Sequence, residues 1–119
     1  MSGNASFLSI MSFGPGLLEK VYEKVLAHEL ENNGLMVKIQ VPMNLKFKDT
    51  VIESGFIADI IVENKVIIEI KATTDIANIH HQQLLTYLKL TGLKLGILVN
   101  FNTDYINKSI FRKVNGELD

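Results

Sequence analysis

Residues 56–72, FIADIIVENKVIIEIKA, constrain the fold of this chain more than any other stretch. Two runs rich in β-branched residues flank Glu63-Asn64-Lys65, which predicts a compact antiparallel hairpin. Strand side chains alternate between faces, so Ile57, Asp59 and Ile61 are expected on one face and Phe56, Ala58, Ile60 and Val62 on the other. On the second run Ile67, Glu69 and Lys71 share a face. A three-residue loop pairs Val62 with Val66, and counting back sets Asp59 opposite Glu69, with Cβ atoms ~5 Å apart. Two carboxylates that close repel each other unless a proton, a lysine or a metal intervenes. A hard cation such as Mg²⁺ binds oxygen ligands at ~2.1 Å, and two such carboxylates can grip one ion. Lys71 can position or deprotonate a water, or steady a developing oxyanion. The plainer alternative is a solvated face with a surface ion pair. Ile57, Ile61 and Ile67, interleaved with the charges, argue against full solvation.

The rest of the chain supplies a setting for this hairpin. Gly14-Pro15-Gly16 breaks the chain, and Leu17, Leu18, Val21, Tyr22, Val25, Leu26 and Leu30 then recur at helical spacing until Asn32-Asn33-Gly34 ends the run. β-like runs follow at 35–41 and 43–48, with Pro42 between them as an edge or bend. A second helix is expected from 76 to about 91, closed by Gly92. KLGILVNF (94–101) reads as a strand buried on both faces. The tail, 105–114, reads as a last strand or a short helix and a strand. The expected order is α-β-β-β-β-α-β, an α/β domain spanning 1–119 with a mixed sheet flanked by helices, in which 1–13 form a short N-terminal segment.

Composition narrows the chemistry. The 119 residues are 47% hydrophobic and 21% charged, as in a folded globular chain, and suffice for one core. There is no cysteine, which removes disulfides and thiolate-held zinc or iron–sulfur sites and fits a cytoplasmic setting. No run approaches the ~20 apolar residues of a membrane span, and MSGNASFLSIMS lacks the basic start and apolar core of a signal peptide. A net charge of −1 argues against coating nucleic acid by bulk electrostatics and leaves room for a local basic groove.

Two helices carry polar residues in apolar company. Glu19 projects between Leu26 and Leu30 on the first helix, where a carboxylate wants a cation or a proton; Glu29 falls on the same arc. On the second helix His80, Gln83 and Tyr87 form a stripe beside Leu84 and Leu88. A stripe of this kind is more often a helix edge than a site, and the spacing of His80 and His81 gives little support for a metal.

Taken together, GPGLLEKVYEKVLAHEL (14–30), FIADIIVENKVIIEIKA and IHHQQLLTYLKLTGLKLGILVNF (79–101) resemble the GxxExxR family, small bacterial and archaeal proteins placed in the PD-(D/E)XK nuclease superfamily. Asp59 followed by Glu69-Ile70-Lys71 resembles the D…ExK core. The resemblance implies a restriction-endonuclease-like fold and an Mg²⁺- or Mn²⁺-dependent phosphodiesterase acting on nucleic acid, DNA before RNA. It implies metal binding by Asp59, Glu69, the Ile70 carbonyl and the helix acid Glu19, with Lys71 as the catalytic lysine. Gln83 and Tyr87 match the QxxxY helix of nucleases similar to the RecB and lambda exonuclease group, where they would position the cluster or the strand; the alternative role for Tyr87 is stacking on an unpaired base. Tyr22 stands where the family name has Arg, and Ala58 where the superfamily name has Pro. The segment before Gly14 is shorter than the family's N-terminal helix.

The expected phosphate contacts are Lys108, Arg112 and Lys113 in the tail with Lys89 and Lys94. Further expectations are a homodimer, which would cover exposed surface, and an additional protein partner. The rival reading is a non-catalytic module that keeps the nuclease fold to bind nucleic acid or protein; the intact Asp-Glu-Lys set argues against it.

Overall fold

The hairpin forms in the expected register, with Val62 paired to Val66, Ile61 to Ile67 and Ile60 to Ile68. Glu63 and Asn64 both take left-handed φ values, 54° and 55°, the backbone that lets a tight turn follow the twist of its strands. The computed structural model describes residues 16–101 and 110–116. Its elements are α1 (Glu19–Asn32), β1 (Val37–Phe47), β2 (Thr50–Val62), β3 (Val66–Lys71), α2 (Asn78–Thr91), β4 (Leu95–Asn100) and β5 (Ile110–Val114). The expected α/β architecture is present: five strands form one mixed sheet in the order β1-β2-β3-β4-β5. Only β3 and β4 are parallel, and α2 makes the crossover that a parallel pair requires.

The two runs expected at 35–41 and 43–48 are one strand, β1, so three strands stand between the helices. Pro42 does not divide it. β1 is an edge strand, where a missing N–H is tolerated, and Pro42 sits within it opposite Ile57. β5 supplies the last strand; residues 102–109, with Lys108, lie outside the described residues, as do 1–15.

One helix covers each face of the sheet. Tyr22, Leu26 and Leu30 of α1 pack with Ile60, Ile68 and Val99, whereas Leu84 and Leu88 of α2 pack with Ile61, Ile67 and Leu98. Leu84 lies so close to β4 that a Cβ on Gly96 would meet it at 3.0 Å, so only glycine allows this approach without movement. α1 ends as its sequence suggests: Gly34 takes φ 85°, and the Leu35 N–H returns to the Leu30 carbonyl at 3.2 Å.

The alternation expected along β2 does not survive its whole length. Ile60 and Val62 face α1, but Phe56 and Ala58 belong with Ile61 to the α2 side. Ile57 is exposed. The change of face occurs at Asp59, and β1 changes face beside it at Gln40, whose φ is 49°. Ile39 pairs with Ile60 and Val41 with Ala58, while Gln40 and Asp59 between them drop out of the ladder. Because both strands turn over together, the pairing resumes in register, and the β1–β2 arm beyond the seam packs along α2. Leu45 and Phe56 of the arm join the Leu84 and Leu88 cluster. Asp59 therefore occupies the seam between two differently facing halves of a strand pair.

Candidate active site

At the seam Asp59 is held from two sides. Its Oδ2 accepts the Ile70 N–H at 2.8 Å, closing the hairpin where the ladder has parted. Its Oδ1 accepts from Gln40 Nε2 at 3.3 Å. The backbone N–H of Asp59 points to Glu69 Oε1 at 3.5 Å, so the two carboxyl groups are neighbours, as the register requires. Burial is the main reason that the Glu69 carboxyl is pushed up to about 9, and the charge of Asp59 adds to it, while Lys71 acts in the opposite sense. At neutral pH Glu69 holds a proton. This is one of the three ways of relieving a close carboxylate pair.

Glu69 and Lys71 share a face and open into a cavity of about 150 Å³. Its other walls come from Phe56 on the arm, Leu98 on β4 and His80, Gln83, Leu84 and Tyr87 on α2. The structure thus brings Glu69, Lys71, Gln83 and Tyr87 together. The Tyr87 ring stacks on Phe56 with centroids 3.9 Å apart and planes at 12°. That stack takes one ring face and ties the arm to α2.

His80 has a larger place here than its spacing indicated. The Ala77 N–H donates to its Nδ1 at 3.2 Å, capping the first turn of α2, which leaves the ring proton on Nε2 as a donor. Its neighbour His81 turns away onto the edge of Phe111, with centroids 4.7 Å apart. Burial, with Lys113 and His80 nearby, holds the His81 imidazole below its ordinary range.

The acids of α1 divide the role assigned to one of them. Glu19 is the exposed first residue of the helix, and its Oε2 accepts the Ala72 N–H at 3.3 Å, just past Lys71. It stands at the end of β3 rather than in the buried arc. The buried acid is Glu23, one turn on and 5% exposed. Its Oε2 accepts from Gln40 Nε2 at 2.7 Å, so one amide serves both Glu23 and Asp59. Burial raises the Glu23 carboxyl; the Gln40 hydrogen bond opposes this and the Asp59 charge reinforces it. The helical projection pointed past Glu23, and no local pattern marks Gln40. Tyr22, at the position where Arg was anticipated, is buried and stacks on Phe101 at 4.7 Å.

Asn100 fixes the loop that leaves the site. Its Oδ1 accepts the Thr73 N–H at 3.1 Å and its Nδ2 donates to the Thr73 carbonyl at 2.9 Å. The Phe101 N–H also donates to the Lys71 carbonyl at 2.9 Å. The end of β3 is thereby pinned to the end of β4.

The anticipated phosphate contacts do not form one patch. Lys94 lies by Lys65 and Val66, at the end of β3 remote from Lys71. Arg112 and Lys113 are adjacent on β5 and point to opposite faces: Phe111 packs on the α2 side and Ile110 on the α1 side. Lys89 lines a depression with Lys46 and Lys48, which the sequence did not single out.

A divalent cation is compatible with the donor set, because Asp59 and Glu69 bring two carboxyl groups together where burial makes the double negative charge costly. Among the described residues no three acids or histidines converge on one point, so a metal held by side chains alone would have two ligands and would depend on backbone oxygen and water for the rest. Among the described residues, too, no helix is long and apolar enough to cross a membrane. No curated protein and no solved structure matches the chain. The family model of the PD-(D/E)XK nuclease superfamily matches residues 4–113, which take in the seam acid, both hairpin strands and all of α2. With its Asp59, Glu69 and Lys71 on adjoining strands of a mixed sheet between two helices, the chain belongs to the PD-(D/E)XK nuclease superfamily.

Proposed function

We propose that this protein hydrolyses phosphodiester bonds of nucleic acid, with DNA the first substrate to test, in a reaction dependent on Mg²⁺ or Mn²⁺. The observation that carries the reading is the pairing of a seam aspartate with a half-buried glutamate, with Lys71 two residues on and opening into the same cavity. Asp59, Glu69 and the Ile70 carbonyl would hold the cation, with Glu19, which accepts the Ala72 N–H at the end of β3, taking part only through water. When bound, the cation supplies positive charge beside the scissile phosphate and removes the repulsion between the two carboxylates.

The remaining work falls to the chain. Glu69 gives up its proton as the pair is neutralised. Lys71 hydrogen-bonds the attacking water and steadies the charge that grows on the phosphate oxygens. The attacking water gives one proton to solvent as its oxygen bonds to phosphorus, one ester P–O bond breaks, and the oxygen of that bond leaves as a hydroxyl after taking a proton from solvent. His80 presents Nε2–H and Gln83 its amide to the phosphate, while the Phe56–Tyr87 stack walls off the side next to the arm. This assignment gives Gln83 and Tyr87 the positions of a QxxxY helix and agrees with a GxxExxR-type chain.

A second reading, a nuclease-fold module that binds without cleaving, is favoured by the lack of a third converging acid or histidine among the described residues. The test is to incubate the protein with labelled single- and double-stranded DNA and RNA in Mn²⁺, Mg²⁺ or EDTA, beside Lys71→Ala. Cleavage that needs metal and is lost in Lys71→Ala supports hydrolysis. Nucleic acid bound and left intact under every condition supports the module.

A further inference from the structure

The β1–β2 arm and α2 lie side by side, tied near the cavity by the Phe56–Tyr87 stack and farther along by Leu45 against Leu84 and Leu88. At the far end of this pair, Lys46 and Lys48 of the arm and Lys89 of α2 surround an open depression of about 320 Å³, floored by Leu90, Thr91 and Gly92. No carboxylate lines the depression. Asp49 adjoins Lys48 in the turn, yet among the described residues no ion pair neutralises any of the three ammonium groups. Phe47, between Lys46 and Lys48, is 57% exposed, and the Lys48 ammonium lies 5.3 Å from its ring centroid.

Three lysines that line one depression with no carboxylate among its walls favour an anion of repeating charge there. The chain as a whole carries −1, so this concentration of positive charge is local and not a by-product of composition. Its position gives it a use. α2 runs from the catalytic cavity at His80 and Gln83 to Lys89, a rise of roughly 9–14 Å, or about three to four nucleotides along a duplex. Gln82, Gln83, Thr86 and Lys89 are exposed or half-buried polar positions along this path.

We propose that Lys46, Lys48 and Lys89 form a second nucleic-acid contact, which grips the phosphate backbone three to four nucleotides from the bond held at the catalytic cavity. Its ligand class rests on the nuclease reading above. The lysines fix the strand along α2 and read no sequence. The contact replaces the tail cluster of Arg112 and Lys113, whose side chains diverge.

The experiment measures binding of a labelled short duplex by fluorescence anisotropy in EDTA, without turnover, across a series of salt concentrations. Combining Lys46→Ala, Lys48→Ala and Lys89→Ala is expected to lower the slope of log affinity against log salt by about 2.7, from three contacts at about 0.9 each. A charge-matched control, Lys24→Ala with Lys38→Ala and Lys65→Ala, is expected to keep the slope, and melting temperatures establish that both variants fold. An unaltered slope in the first variant overturns the proposal, and a slope lost instead in Arg112→Ala with Lys113→Ala moves the strand to β5 and also overturns it. If polyglutamate displaces the duplex as well as unlabelled DNA of equal charge does, the surface is one for acidic proteins and the proposal fails. Loss of slope upholds the contact even where no metal brings cleavage. Cleavage with an unaltered slope upholds hydrolysis and removes the contact.

Discussion

Glu23 on α1 accepts a 2.7 Å hydrogen bond from Gln40 on β1, and through that amide the buried acid of one layer is joined to the seam of the sheet. Gln40 can make this contact because its backbone turns through φ 49° and leaves the ladder. A donor in this position serves a carboxyl group that has little access to water.

Removing the amide alone should therefore cost more than removing both partners. Gln40→Leu leaves Glu23 buried without its donor and is expected to lose about 1–3 kcal/mol. Glu23→Leu combined with Gln40→Leu should recover much of that loss. Chemical denaturation of the two single variants and the double variant closes the cycle, and additive losses would show that the bond is energetically idle.

The Glu69 proton gives stability a direction with pH. The native carboxyl titrates at about 9 and the unfolded one near 4.5, so between these values the native state holds more protons. Stability without metal is expected to fall as pH rises through this window and to be unaffected by Glu69 below it. Glu69→Gln should match the parent protein near pH 4 and exceed it by a few kcal/mol, to order of magnitude, near pH 9. Urea titrations across pH read this crossing; parallel curves would contradict the buried-proton account.

Metal binding must displace the same proton. Mn²⁺ titrated calorimetrically at neutral pH, in buffers of different ionisation enthalpy, should release close to one proton per ion, and apparent affinity should climb with pH until about 9. Glu69→Ala is expected to abolish the heat and Asp59→Ala to weaken it. Heat that survives unchanged in Glu69→Ala would place any metal elsewhere.

Asn100→Ala should unhook the loop beyond Lys71. Two hydrogen bonds tie its side chain to Thr73, and that side chain is buried, so a loss of about 1–3 kcal/mol is expected. Hydrogen exchange should rise at Thr73 before it rises in β4. A uniform increase over the whole sheet would show that Asn100 stabilises the fold globally.

The hairpin was legible because its signals are local: two β-branched runs, a three-residue turn and an alternation that sets Asp59 near Glu69. The helix caps at Gly34 and Gly92 were legible for the same reason. The change of face at Gln40 and Asp59 was not, since neither residue has a composition that demands a left-handed or unpaired backbone; alternation carried past it assigns Phe56 and Ala58 to the wrong layer. Glu23 escaped because an isolated helix does not reveal that a glutamine from an edge strand will reach a carboxyl group on its buried side. Lys46 and Lys48 escaped because they belong to α2 only through packing of the arm, and a lysine on a strand looks like any solvated lysine.

The double turnover at Gln40 and Asp59 also makes the arm modular. Both strands restart their alternation at the same rung, so the phase from there to Met43 and Phe56 is set at the seam, and a register shift between Met43 and Leu45 follows before the tip. Residues added or deleted in twos on both strands between the seam and the register shift, 41–43 and 56–58, would move the Lys46-Phe47-Lys48 tip while leaving the carboxylate rung and the facing of the arm in place. In this architecture, reach can diverge between descendants of one ancestor while the chemistry stays put.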